Sequence, residues 1–145
     1  MADSNAFSAS WTPRLLSVLR IVSGFFMSFH GAQKLFGFLA PPGMGGPPLL
    51  SQAGVGGVLE FFGGLLLILG LCTRPVAFIL SGMMAVAYFQ FHMYGALSKG
   101  TPNWFWPIVN GGELAALYCF IYLFLSVAGG GEWSLDRLLW RRRVV

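Results

Sequence analysis

Four unbroken apolar runs, at residues 14–39, 51–71, 75–97 and 106–128, constrain this chain more than any other feature. Crossing the roughly 30 Å hydrocarbon core of a bilayer takes about 20 predominantly apolar residues in a helix. Each run meets that length, and none shows the alternating segments of about 10 residues that outer-membrane strands require. Composition points the same way. Hydrophobic residues make up 56% of the 145 and charged residues only 10%, too little charge to cover a soluble surface. The expected fold is an all-α membrane protein: one domain, a bundle of four transmembrane helices in the lipid bilayer, and a short C-terminal interfacial helix.

The connections read as turns. Residues 40–48 hold four prolines and three glycines and cannot continue a helix. Cys72-Thr73-Arg74 makes a very short hairpin, Pro75 suits the first turn of the third helix, and Gly129-Gly130-Gly131 ends the fourth. Trp104, Phe105 and Trp106 sit where an aromatic belt anchors a helix end. The N-terminus does not read as a cleaved signal peptide: it lacks a basic start, and the following run carries Arg20 and is long enough to span. Cys72, at one membrane face, and Cys119, well inside the fourth helix, are poorly placed to bridge. The chain has no C-x-x-C, which argues against a membrane thiol oxidoreductase.

Charge sets the expected orientation. With four spans both termini share a side, and that side collects Arg14, Arg74, Arg137, Arg141, Arg142 and Arg143. The opposite side has only Lys34 and Lys99, so the positive-inside rule puts both termini in the cytoplasm of a cell with the protein in its inner (plasma) membrane. The net charge of +4 is then a topology and lipid signal, and no nucleic-acid partner is expected of a bundle buried in lipid. At 132–143 the tail has a candidate N-cap in Ser134, with Leu135, Leu138 and Leu139 on one side and arginines after them. It reads as a cytoplasmic amphipathic helix on anionic headgroups.

Ionisable groups inside a span cost about 2.5–3.5 kcal/mol each, so each needs a reason. Every predicted helix has at least one: Arg20, His30 and Lys34 in the first, Glu60 in the second, His92 in the third, Glu113 in the fourth. At about 100° per residue, Arg20, Ser23, Gly24, Met27, His30, Gly31 and Lys34 fall on one stripe. Gly56, Glu60, Gly63, Gly64 and Gly70 share a face that lets a neighbouring backbone come close. His92 shares a stripe with Tyr88, Ala85 and Ser81, and Glu113 lies near Asn110. His30, Glu60, His92 and Glu113 are expected at similar depth, which suggests a shared internal site. In the plain structural reading, Arg20 neutralises Glu60, Lys34 snorkels to the outer surface, and both histidines are hydrogen-bonded core residues.

Leu19-Arg20, followed by His30-Gly31-Ala32-Gln33-Lys34-Leu35-Phe36-Gly37, resembles the first helix of the DoxX family. Glu60-Phe61-Phe62-Gly63-Gly64 and Gly70-Leu71-Cys72-Thr73-Arg74 are similar to its second helix and hairpin. His92, Glu113 and Ser134-Leu135-Asp136 also fall where that pattern has them, and the resemblance spans roughly residues 14–139. It implies a four-helix membrane protein. The family takes its name from a subunit of an archaeal terminal quinol oxidase, and relatives are linked to thiosulfate:quinone oxidoreduction, oxidative-stress complexes and, in distant animal members, chaperoning.

Three functions compete. The first is a quinone-linked subunit of a membrane oxidoreductase complex, needing a redox partner protein. There Glu60, Glu113, His30 and His92 would be the proton-handling catalytic groups, with Arg20, Lys34, Asn110 and Tyr88 binding or tuning. The second is a non-catalytic scaffold, chaperone or carrier that binds a lipid-like ligand or partner helix, with a homo-oligomer as one form. The third, haem or metal held by His30 and His92, is disfavoured, because the paired Glu-x-x-His motifs of di-iron bundles are missing. The orientation is directly testable. A reporter active only outside the membrane should be active when fused after Gly46 and silent after Arg143; the opposite result overturns the topology.

Overall fold

The computed structural model describes residues 2–41 and 46–141, so the centre of the 40–50 loop and the arginines at 142 and 143 lie outside the described residues. Seven α-helices follow one another: α1 (Ala2–Phe36), α2 (Gln52–Leu69), α3 (Thr73–Val86), α4 (Tyr94–Ser98), α5 (Pro107–Asn110), α6 (Glu113–Ala128) and α7 (Leu135–Arg141). A π-helical segment, Ala87–Met93, joins α3 to α4 without a break. No strand occurs among the described residues. The chain is an all-α membrane protein. Phe7–Phe36, Gln52–Leu69 and Thr73–Ser98 are long and apolar enough to cross a bilayer, and Glu113–Ala128 is a shorter apolar helix.

Two boundaries differ from the sequence reading. The first helix begins at Ala2 rather than near Arg14 and runs through Pro13. Its 35 residues rise about 52 Å, well beyond the hydrocarbon core. Phe7 and Trp11 pack at a tilt on this extension, and the Arg14 guanidinium lies 5.5 Å over the Trp11 ring. The fourth run, predicted continuous from 106 to 128, breaks at Gly111-Gly112 into α5 and α6. Gly111 adopts φ +71°, and the Asn110 side chain accepts a hydrogen bond from Gly112 N at 2.8 Å, so the turn closes on itself. A Cβ on Gly112 would sit 2.6 Å from the Tyr88 ring, which is why this corner tolerates only glycine.

Local signals account for the α2 ends. Ser51 accepts from Gly54 N at 3.1 Å as N-cap. Gly70, φ +66°, closes the helix with Gly70 N to Leu67 O and Leu71 N to Leu66 O, a Schellman ending. The helices then pair as α1 with α2 and α3 with α6, and α2 joins the pairs through α3. Met27, Leu67, Leu80, Tyr122 and Leu125 fill the centre. Outward stand Phe25, Phe26, Phe62, Phe78, Phe120 and Phe124, the apolar exterior that lipid contact requires.

Glycine sets the α1–α2 distance. A Cβ on Gly31 would lie 2.7 Å from Gly57 O and closer still to the Phe61 backbone; one on Gly64 would lie 2.6 Å from Gly24 O. Gly57 and Gly64 therefore face α1, whereas Gly63 faces Leu80 of α3 and Gly56 meets open space. The expected stripe of Gly56, Gly63 and Gly64 thus divides among three surroundings, because the helix is gripped from two sides. Gly31→Ala should lower stability in detergent by about 1–3 kcal/mol through overpacking. Gly56→Ala should be neutral or stabilising by up to about 1 kcal/mol, since the extra methyl only restricts the unfolded chain. Equal stability of the two variants in reversible unfolding would show that these glycines do not set the packing.

Candidate functional site

Arg20 is completely buried and spends its donors on backbone carbonyls. Nε donates to Gly130 O at 2.8 Å; one terminal nitrogen donates to Ile68 O at 2.9 Å and also to Leu67 O; the other donates to Trp133 O at 2.5 Å. Leu67 and Ile68 lie in the last turn of α2, where the negative end of the helix dipole favours a cation. Arg20 therefore does not neutralise Glu60. It joins α1 to the end of α2 and to the glycine turn before α7.

Around it the bundle end is tied by further polar contacts. Asp136 accepts from Cys72 N at 2.7 Å and Thr73 N at 2.8 Å, and its own N–H donates to Gly70 O at 2.9 Å. A carboxylate from α7 thus caps α3, whose own N-cap residue, Cys72, makes no side-chain cap. Ser17 donates to Pro13 O and accepts from Trp133 N at 3.0 Å. Ser134 accepts from Arg137 N at 3.3 Å, which confirms it as the N-cap of α7. Glu132 pairs with Arg14 at 3.1 Å and with Arg137 at 3.7 Å.

The candidate site lies further along the α1–α2 seam. Lys34, in the last turn of α1, places Nζ 2.6 Å from Glu60 Oε1. The lysine side chain is 40% exposed and the glutamate only 5%, so the pair runs from the outside of the bundle into its interior. Its stem rests over Gly57, one turn before Glu60, where a Cβ would come 3.1 Å from Lys34 Cβ. Glu60 Oε2 is buried and has no hydrogen-bond partner among the described residues. Behind this pair in the core, Tyr118 and Tyr122 stack with centroids 5.6 Å apart, and Tyr122 donates to Ser23 O at 2.9 Å.

The other candidates fall elsewhere. Tyr88 and His92, on the π segment, face the 104–112 stretch: Tyr88 donates to Phe105 O at 3.3 Å, and His92 Nδ1 lies 3.4 Å from Asn110 O. Asn110 itself donates to Trp104 O at 2.9 Å. These three form one polar cluster, apart from the Lys34–Glu60 pair. His30 is exposed on α1, turned off the stripe of Ser23, Gly24, Met27 and Gly31, all of which are buried. Glu113 is exposed in the first turn of α6, where a carboxylate complements the helix dipole. The expected single site of two histidines and two glutamates is therefore not assembled. Among the described residues, no three His, Cys, Asp or Glu side chains gather in a metal-binding arrangement.

A sequence model of the DoxX family matches residues 15–93, from α1 through the π segment. The chain belongs to the DoxX family. Over 136 residues, 91% of this chain and 96% of the relative, it is 43% identical to an uncharacterized protein of Haemophilus influenzae. It is 27% identical to Inner membrane protein YqjF of Escherichia coli over 128 residues, 86% of each chain. No solved structure matches it. In this DoxX protein the family match holds Arg20, Lys34, Glu60 and His92, and stops before Tyr118, Tyr122 and Asp136.

Sequence reasoning missed the tyrosine pair and the cross-cap by Asp136. The signal for the first was present: two tyrosines four residues apart in an apolar helix, each hydroxyl needing a partner when buried. The partner of Glu60 is open to a direct test. Lys34→Met should strand the buried carboxylate and cost on the order of 3 kcal/mol, and Lys34→Met with Glu60→Met should recover most of it. Arg20→Met with Glu60→Met should show no such rescue, because the two residues share no contact. Rescue by the Arg20 double variant, in chemical unfolding in detergent, would overturn the assignment.

Proposed function

We propose that this DoxX-family protein is a quinone-linked subunit of a membrane oxidoreductase complex, with Glu60 as its proton acceptor and Lys34 as the group that holds it. The observation that supports the reading is the unpartnered Glu60 Oε2, buried beside a half-exposed ammonium. A buried acceptor without a donor is costly, and a quinol hydroxyl would supply one. Two-electron oxidation of the quinol releases two protons, which pass one after the other through Glu60: each protonation neutralises the carboxylate and loosens its hold on Lys34, and the proton leaves outward before the next arrives. The two electrons leave to an acceptor on a partner protein. Arg20 takes no part in this chemistry, and His30, His92 and Glu113 are assigned no proton-transfer step.

The setting is the inner (plasma) membrane, with both termini cytoplasmic, which places the Lys34 end of the pair toward the outer face. That orientation follows from the arginine bias, and the inner-membrane name of the Escherichia coli relative supports the compartment. The test uses purified full-length protein and decylubiquinone as the probe. At a concentration about 100 times its dissociation constant, a ligand of the folded state adds about 2.7 kcal/mol of stability. Decylubiquinone should raise the unfolding midpoint, Glu60→Gln should remove most of that shift, and Lys99→Gln should leave it. No shift at saturation, together with no co-purifying redox protein, would favour the scaffold or carrier reading.

A further inference from the structure

A second site lies at the opposite end of the bundle from Lys34, and it is independent of the quinone reading. A cleft of about 680 Å³ opens between the start of α3 and the turn that follows α6. Arg74 and Arg137 stand on its edge, and Gly129, Gly130 and Gly131 form a wall without side chains. Arg74 makes no ion pair among the described residues, and Arg137 shares Glu132 with Arg14 at a loose 3.7 Å. Asp136 also lines the cleft, but both of its oxygens are occupied by Cys72 N and Thr73 N, and the two arginines leave the cleft net positive.

Thr73 gives this cleft an unmet need. It is 0% exposed, lines the cleft, and its Oγ1 has no hydrogen-bond partner among the described residues. The hydroxyl abuts the glycine wall, where a Cβ on Gly130 would lie only 3.0 Å from it. A donor with no acceptor in a cleft that two arginines also line fits a phosphate, whose oxygens accept from all three. The neighbouring surface indicates what carries that phosphate. One turn along α3 from Arg74 and Pro75 stand Phe78 and Ile79, 66% and 51% exposed, and one turn back along α6 from Ala128 stands Phe124, 57% exposed. Headgroup chemistry thus meets an apolar face suited to acyl chains.

We propose that this cleft binds the phosphate of an anionic phospholipid, its headgroup between Arg74, Arg137 and the Thr73 hydroxyl and its chains along α3 and α6. The test titrates full-length protein in neutral detergent with phosphatidylglycerol, phosphatidylcholine or inorganic phosphate. Native mass spectrometry counts the adducts, and tryptophan fluorescence follows the unfolding midpoint. Phosphatidylglycerol should bind about tenfold more tightly than phosphatidylcholine, and Arg74→Ala should weaken it about fivefold, the effect of one basic group near an anionic headgroup. Thr73→Val removes no internal side-chain hydrogen bond, so it should fold normally yet bind less phosphatidylglycerol. Lys99→Ala should bind as the parent does. Equal affinity for the two lipids, or phosphatidylglycerol binding unchanged in both Arg74→Ala and Thr73→Val, overturns the site. Stabilisation by inorganic phosphate without a phosphatidylglycerol adduct overturns the lipid assignment.

Discussion

The fold depends on a cation buried where no water reaches it. An arginine inside a membrane bundle needs partners for its donors. Arg20 makes four hydrogen bonds to carbonyls from three separate places: the last turn of α2, the turn after α6, and the approach to α7. These carbonyls lie at a helix end or in a turn, where backbone acceptors are under-satisfied. One side chain thus holds together segments more than a hundred residues apart. Gly70 must be glycine partly for the same reason, since a Cβ there would press on the Arg20 guanidinium at 2.8 Å.

The consequence for function is a division of labour along α1. Arg20, in its middle, ties helix ends and turns together; Lys34, in its last turn, is half-exposed and holds a carboxylate that keeps one oxygen without a partner among the described residues. The glycines between them make this possible. Because Gly24, Gly31, Gly57 and Gly64 let α1 and α2 touch backbone to backbone, Lys34 reaches Glu60 across the seam. A looser seam would put the pair beyond hydrogen-bonding distance. The π segment after α3 plays a comparable part, presenting Tyr88 and His92 to the 104–112 stretch. A local change of winding of this kind re-aims side chains that a regular helix would spread apart.

Much of this was readable from the chain alone. The apolar runs announce helices, because only internally hydrogen-bonded backbone survives in lipid. The polar residues within those runs identify nearly every group that matters, because an ionisable side chain there must have a partner. Ser51, Gly70 and Ser134 signal their helix ends through local chemistry that needs no tertiary context. The resemblance carried by Arg20, Lys34 and Glu60 likewise agrees with the family match.

What the sequence could not supply is which of these groups meet. Helical periodicity puts Arg20 and Lys34 on one stripe of α1, and either could reach Glu60; the offset between α1 and α2 decides, and the glycine contacts set that offset. The same periodicity places His30 beside buried neighbours, yet a rotation of a few tens of degrees turns it outward. The Tyr88 ring that packs on Gly112 comes from another segment, and the capping of α3 depends on a carboxylate 63 residues away. Local sequence determined the elements, the lipid-facing character and the list of charged groups, since those follow from hydropathy and hydrogen bonding within a segment. Tertiary structure alone decided the pairs, because contacts between helices depend on their relative register and rotation, which no single helix encodes.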